Sequence, residues 1–306
     1  MKTASENLPL VSIVIPTYNH AHFLGKALQS VIDQTNPNWE AIVVDNHSSD
    51  NTVEVVEGMK DPRIRLLKID NGGVIAASRN LGISESRGEW LAFLDSDDFW
   101  YPAKLQKCLE KLSRGYDLVC HGERWLGNGR DRQVLYGPES RATYHSLLFD
   151  GNCLSTSAIV MKRENALAAG GFLEEPEIVT AEDYDFWLRL ARAGARIGFV
   201  KEILGEYTIH SGNQTRGVLR HMDAVLAVLE RHLSSASANG TAFPGWLARK
   251  RRAIAYYSGA RGLQDEGCHR EAWKHFARAV VTWPFYPKIY AAMLFNIFGK
   301  KVLVKS

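Results

Sequence analysis

The chain has 306 residues, 45% hydrophobic and 23% charged, with a net charge of +3 at neutral pH. That is the composition of an ordinary globular protein with ample material for a buried core. The charge is too small to argue for nucleic acid, and no nucleic-acid-binding signature accompanies it.

The four cysteines (Cys108, Cys120, Cys153, Cys268) are scattered, with no C-x-x-C pair. This argues against a disulfide framework and a zinc knuckle and fits reduced thiols in a cytosolic protein. The N-terminus lacks the apolar run of a signal peptide, and no segment reaches 18 uninterrupted apolar residues. The expectation is a cytoplasmic protein that is soluble or rests on a membrane surface.

Short branched runs at 11–15, 41–45, 64–68 and 90–95 read as strands, and 22–34, 52–59 and 74–86 between them read as helices. VSIVI and AIVVD do not alternate, so both faces of their sheet should be covered. The order β-α-β-α-β-α-β predicts a doubly wound, mostly parallel α/β sheet with helices on both faces, whose ligands bind beyond the carboxyl ends of the strands. From about 115 to 215 the pattern becomes mixed, with strands at 118–120, 158–161 and 197–200 and a helix at 183–193. Beyond Gly217 only helices are expected, at 221–233, 246–264, 270–282 and 286–298. This divides the chain into an α/β domain over 1–217 and a helical region over 218–306, with a linker-like stretch at 234–245.

Polar residues end the strands on one rim. The first strand closes in Pro16, Thr17, Tyr18 and Asn19, the second in Asp45 and Asn46, the fourth in Asp95, Ser96, Asp97 and Asp98. Asp95 and Asp97 flank one residue, so both can face a common point. Hard cations such as Mg²⁺ or Mn²⁺ want such carboxylate oxygens together with substrate phosphates. The same acids could instead cap a helix at 102–113, a reading that the other polar strand ends on this rim weigh against. Asp45 suits a strand-ending turn or a contact to a base or ribose, while Asp50 reads as a helix cap. Arg79 is either a solvated helical residue or a diphosphate contact. The acids of Glu182-Asp183-Tyr184-Asp185 either complement a helix dipole or supply a general base. His210 is a loop histidine, a phosphate contact or a metal ligand.

Taken together, VSIVIPTYNH, LGKALQSVIDQT, EAIVVDNHSSDNT, ASRNLGI, GEWLAFLDSDDFWYPAKL, AGGF, AEDYDFWLRL and TIHSGN resemble, in order, the family 2 glycosyltransferases of GT-A fold, over roughly 9–215. The resemblance implies an inverting, metal-dependent transfer of sugar from a nucleotide-diphosphate sugar, foremost a UDP-sugar, to a glycan or lipid-linked acceptor in surface polysaccharide or glycolipid synthesis. It implies a nucleotide-sugar pocket of Pro16, Thr17, Tyr18, Asn19, Asp45, Arg79, Asp95 and Ser96. A Mn²⁺ or Mg²⁺ ion would sit on Asp97 and Asp95 with His210, supported by Asp98. Asp183 would be the base, with Glu182 the alternate. The chain departs from the family pattern at Asn46, often an acid, and at Thr208, often an arginine.

Two other functions compete. A sugar-phosphate nucleotidyltransferase would want a Gly-rich basic loop after the first strand, and PTYNHAHFLGK lacks one. A carbohydrate-binding relative without catalysis would not need Asp95, Asp97 and Asp183. In the tail, Ala272, Phe276, Ala279 and Pro284 have tetratricopeptide-like spacing, in a single unit. The apolar stripe over 286–298, followed by Lys300, Lys301 and Lys305, reads as a core face or as a peripheral contact through 286–305 with the inner face of the cell membrane.

Overall fold

The computed structural model describes residues 11–210 and 217–298. The chain opens with β1 (Val11–Thr17), α1 (Ala21–Ile32), β2 (Trp39–Asp45), α2 (Thr52–Gly58), β3 (Ile64–Lys68), α3 (Ile75–Ser84) and β4 (Trp90–Phe93). It continues through β5 (Phe99–Trp100), α4 (Lys104–Leu112), β6 (Leu118–Gly127), β7 (Arg130–Val134), α5 (Tyr144–Asp150), β8 (Ile159–Lys162) and α6 (Arg163–Ala168). Then follow α7 (Glu182–Arg192), β9 (Ile197–Thr208), α8 (Val218–Ala238), α9 (Gly245–Asp265), α10 (His269–Thr282) and α11 (Pro287–Phe298).

One sheet runs β3-β2-β1-β4-β8-β6-β9-β5, with β7 added on β6. The first four strands are parallel, as their non-alternating apolar runs require. Every residue of β1 and β2 is buried, so neither face meets water. Beyond β4 the sheet is mixed: β8 is antiparallel to β4 and β6, whereas β6 and β9 are parallel. The polar, exposed β7 and the two-residue β5 carry no apolar period, which is why the sequence pattern does not announce them. The strands β6 and β9 run past their apolar starts because they pair along their length, across an irregularity at 121–123.

The odd residues of β1 (Val11, Ile13, Ile15) share a core with Leu24, Ala27, Leu28 and Val31 of α1 and with Leu105, Cys108 and Leu112 of α4. Positions 24, 27, 28 and 31 repeat at helical spacing, so α1 lays one stripe on the sheet. Helix α3 covers the opposite face, close enough that a Cβ built on Gly82 would lie 2.3 Å from Val14. On that face Phe93 meets Phe172 edge-on, and Phe172 packs on Phe186 of α7.

The chain divides into two compact units. The first holds the described residues of 1–144, 153–174 and 185–211, and the second those of 145–152, 175–184 and 212–306. In the second, Ala260, Leu263, Ala272, Phe276, Ala279, Ile289 and Ala292 form a core. The tetratricopeptide-like positions 272, 276 and 279 are therefore the packing face of α10 on its neighbours. Residues 234–238 continue α8, so the linker-like stretch shortens to the connection after Ala238. The 286–298 stripe buries Ile289 and Ala292 in this core, while Phe285, Tyr290 and Leu294 remain exposed. Lys300, Lys301 and Lys305 lie outside the described residues, as do 1–10 and the residues just after His210. No described helix is long and apolar enough to cross a membrane.

Candidate active site

The rim of the first unit is built where β1, β2 and β4 end. Thr17 and Asp45 are register partners on neighbouring parallel strands, so their side chains leave the same face. Asp45 is 1% exposed and divides its work between its oxygens. Its Oδ1 accepts the Ser48 amide at 3.0 Å and the Ser48 hydroxyl at 2.5 Å, which closes the turn after β2. Its Oδ2 is buried without a hydrogen-bond partner among the described residues, and so is the Thr17 hydroxyl. One oxygen of Asp45 is thus spent on the turn, and the other is left without a partner among the described residues. Two adjacent orphan polar atoms in a buried rim are costly unless a ligand completes them.

Asn19 adopts φ 53°, which Asn tolerates better than most residues. Its side-chain oxygen accepts the Ser49 amide at 2.8 Å, and its own amide donates to the Ser48 hydroxyl at 2.8 Å. The β1 and β2 loops are thus locked together. Asp50 has the capping role: it accepts the Thr52 amide at the start of α2 and the Ala21 amide at the start of α1. Burial raises its pKa, but the bond from the Thr52 hydroxyl, with those from the Ala21 and Thr52 amides, outweighs burial and holds it below its ordinary value. Asn46 accepts the Asn71 amide at 3.0 Å, a turn-fixing role that needs no charge. Tyr18 is exposed on the same rim, beyond Pro16.

The acids after β4 do not cap a helix. A tight turn in which the Asp98 amide donates to the Asp95 carbonyl is followed by β5, and α4 begins later with no side-chain cap. Arg79 of α3, 4% exposed, reaches this turn and donates to Asp95 Oδ1 at 2.9 Å. It is not a solvated helical residue; its guanidinium also lies over the Phe172 ring. His210 Nε2 is 2.7 Å from Asp97 Oδ2. Asp98 accepts the Thr208 amide at 2.9 Å and ties the end of β9 to the same turn. Burial, then the Asp95 charge, push the Asp97 pKa up, and the His210 bond only partly opposes them. Asp98 is pushed up further by burial and by the Asp97, Glu123 and Asp95 charges.

Sequence reasoning did not single out His20. Its Nδ1 lies 2.9 Å from Ser96 Oγ, and its ring meets His210 edge-on at 5.8 Å. Its only signal was its place directly after PTYN at the first strand's end. Burial pushes its pKa down; the Asp97 charge opposes this, and the charge of His210 adds to it.

Among the described residues no three His, Cys, Asp or Glu side chains form a group that could hold a metal ion. By chemical type the carboxylates of Asp95 and Asp97 are the hard oxygen donors that Mn²⁺ or Mg²⁺ takes, while His210 Nε2 is bonded to Asp97. Such ions take few protein ligands and complete their shell with water and phosphate oxygen.

In the second unit, Glu182 and Asp183 open the segment that becomes α7. Glu182 is buried, and its carboxylate accepts the Thr180 amide at 2.8 Å. Asp183 is only half-buried, and its Oδ1 accepts the Tyr184 amide. In the continuation of α7, Asp185 is fully buried and accepts from Arg189 at 2.7 Å.

The sequence model of "Glycosyl transferase family 2" matches residues 12–164. A glucosyltransferase of Escherichia coli, WfgD, described as a UDP-Glc:α-D-GlcNAc-diphosphoundecaprenol β-1,3-glucosyltransferase, is 30% identical over 231 residues, 74% of this chain and 88% of its own. The chain belongs to the family 2 glycosyltransferases. Two solved structures share its fold: S. aureus TarS 1–349 in complex with UDP-GlcNAc, and the mannosyltransferase PcManGT of Pyrobaculum calidifontis in complex with GDP-Man and Mn²⁺. The first has a TM-score of 0.63 at 17% identity and covers 94% of this chain and 87% of its own. The second has a TM-score of 0.61 at 18% identity and covers 97% and 88%.

Proposed function

We propose that this glycosyltransferase is a metal-dependent, inverting hexosyltransferase that moves a sugar from a UDP-sugar to a hydroxyl of a glycan or lipid-linked acceptor during surface polysaccharide or glycolipid synthesis. The observation that carries the reading is the rim itself: the orphan Thr17 hydroxyl and Asp45 Oδ2 beside each other at two strand ends, on the sheet edge that also carries Asp95 and Asp97. The named relatives support the substrate classes, one by a UDP-sugar donor and a lipid diphosphate acceptor, others by complexes with UDP-GlcNAc and with GDP-Man and Mn²⁺.

In this reading Asp45 accepts hydrogen bonds from base or ribose, Thr17 donates its hydroxyl, and Pro16, Tyr18, Asn19 and Ser96 shape the same pocket. Asp97 would hold the divalent cation with Asp95 and His210, and that ion supplies charge neutralisation for a departing diphosphate. Arg79, already turned toward Asp95, adds a fixed cation at the same place. Asp183 takes the proton from the acceptor hydroxyl as that oxygen attacks the anomeric carbon from the face opposite the leaving group. One displacement inverts the centre and needs no covalent nucleophile.

A peripheral contact with the inner face of the cell membrane suits the exposed Phe285, Leu294 and Trp246 of the helical unit, where Trp246 stacks with Trp283. It is tested by co-sedimentation with anionic phosphatidylglycerol vesicles, where failure to bind at low salt removes it.

The central test is turnover of UDP-glucose, UDP-GlcNAc and GDP-mannose with Mn²⁺ and with EDTA, in the wild type and in Asp183→Asn. The expected result is turnover of a UDP-sugar that needs the cation and falls about 100-fold or more in the variant, with UDP affinity retained. Equal turnover with EDTA removes the metal role, and full turnover in Asp183→Asn removes the base.

A further inference from the structure

The residues just before α7 have an unusual backbone. Thr180 has φ 85°, a left-handed conformation that a β-branched residue avoids. Such a residue persists only where its surroundings over-determine it, and such residues cluster at functional sites. Every polar atom of Thr180 is engaged. Its amide donates to Glu182 Oε2 at 2.8 Å. Its carbonyl oxygen and its hydroxyl lie 3.0 and 3.2 Å from one atom, Nδ1 of His221.

His221 stands in the first turn of α8, in the same compact unit as Thr180. A carbonyl oxygen only accepts, so Nδ1 must carry the imidazole proton and point it at Thr180. Burial pushes the His221 pKa down; its bond to the Thr180 carbonyl and the Glu182 charge oppose this, and Arg251 reinforces it. The ring is therefore a neutral donor near pH 7, fixed in one tautomer.

Two further fastenings flank the turn. Glu175 forms an ion pair with Arg231 of α8, and the Tyr184 hydroxyl donates to the Leu147 carbonyl of α5 at 2.6 Å. Both lie outside the turn and hold its ends. His221 bonds the strained residue itself, three positions before Asp183.

We infer that His221 is a positioning residue for the proposed base: by holding Thr180 in its left-handed backbone it sets the direction in which Asp183 leaves the first turn of α7. This rests on the reading of Asp183 as base. On it, the C-terminal helices are the mount of the acceptor-side acid.

The test uses the full chain, with UDP release from UDP-GlcNAc and Mn²⁺ as the reaction and water as acceptor; UDP-glucose replaces UDP-GlcNAc if the wild type prefers it. His221→Ala should lower turnover about tenfold or more at unchanged UDP affinity, since misplacing a reacting group by an ångström costs on this scale. Hydrogen exchange across 175–184 should accelerate in the same variant. His221→Asn should recover most of the turnover, because its amide N–H falls near the place of Nδ1–H. So should His221→Ala combined with Thr180→Gly, because glycine takes φ near 85° without help. A purely structural role predicts neither the turnover-specific loss nor the glycine rescue.

Wild-type turnover in His221→Ala, or a loss that neither Asn nor glycine recovers, overturns the inference. If His221→Ala does not fold, the Asn variant and the double variant still decide. In the Asp183→Asn background, His221→Ala should add no further loss, and an added loss of its full size overturns action through Asp183. Full turnover in Asp183→Asn alone removes the base reading and this inference together. A dead Asp183→Asn beside a fully active His221→Ala removes this inference and leaves the base in place.

Discussion

Glu123 provides a test of the buried charge behind the rim. It lies on β6, 1% exposed, and its carboxyl accepts from the Tyr136 hydroxyl at 2.6 Å and the Ser155 hydroxyl at 3.1 Å. Burial pushes its pKa from an ordinary 4.5 up to about 7; the bonds from Tyr136, Ser155 and Trp125 oppose burial without cancelling it, and the Asp95 charge adds to it. Between pH 4.5 and 7 the unfolded chain has released this proton while the folded chain still holds it. The group's contribution is therefore fully present below pH 4.5 and is lost as pH rises through 7. A separation of about 2.5 between the two pKa values corresponds to about 3 kcal/mol. Glu123→Gln is neutral throughout and keeps the shape. It should match the wild type near pH 4 and exceed its stability by up to about 3 kcal/mol at pH 8. Urea unfolding of both proteins at half-unit steps from pH 4 to 8 measures the difference, which also includes the release of Asp98 from the Glu123 charge. A stability difference that stays constant with pH, or that shrinks as pH rises, refutes the reasoning.

Gly82→Ala puts a methyl 2.3 Å from Val14, so the usual gain from alanine in a helix should turn into a loss of about 1–3 kcal/mol, seen as a lower Tm and recovered in part by Val14→Ala. Asp45→Ala should weaken free UDP about tenfold by calorimetry, because the pocket loses the buried acceptor Asp45 Oδ2; unchanged affinity leaves Asp45 as a turn residue alone. Asp97→Asn should abolish most cation-dependent turnover and the Mn²⁺-dependent part of UDP binding while circular dichroism stays unchanged. Persistence of the Mn²⁺ effect on binding would move the cation elsewhere.

The parallel half of the sheet was legible because burial on both faces leaves its signature in composition: VSIVI and AIVVD cannot belong to a strand with a wet face. The rim followed, since the ends of such strands are where polar residues have no core to join. The identity of Asp97 with His210, and of Arg79 with Asp95, as touching pairs was not legible, because each spans a separation that only folding closes. The four-residue turn at 95–98 was also ambiguous, and the intervening β5 removed its capping role through a pairing with β9 more than 100 residues away.

By itself the sequence determined the order of the first seven elements and of the C-terminal helices, the family motifs and the residue types at the strand ends, all of which are local. Tertiary structure alone decided which oxygen of Asp45 is spent on a turn and which is left over, that Glu182 is committed to the Thr180 amide, and that 175–184 folds with helices drawn from the far end of the chain. The physical reason is that periodicity records which face of an element avoids water, whereas a hydrogen bond records a distance and a direction between two atoms. Linear spacing carries the first kind of information and only packing supplies the second.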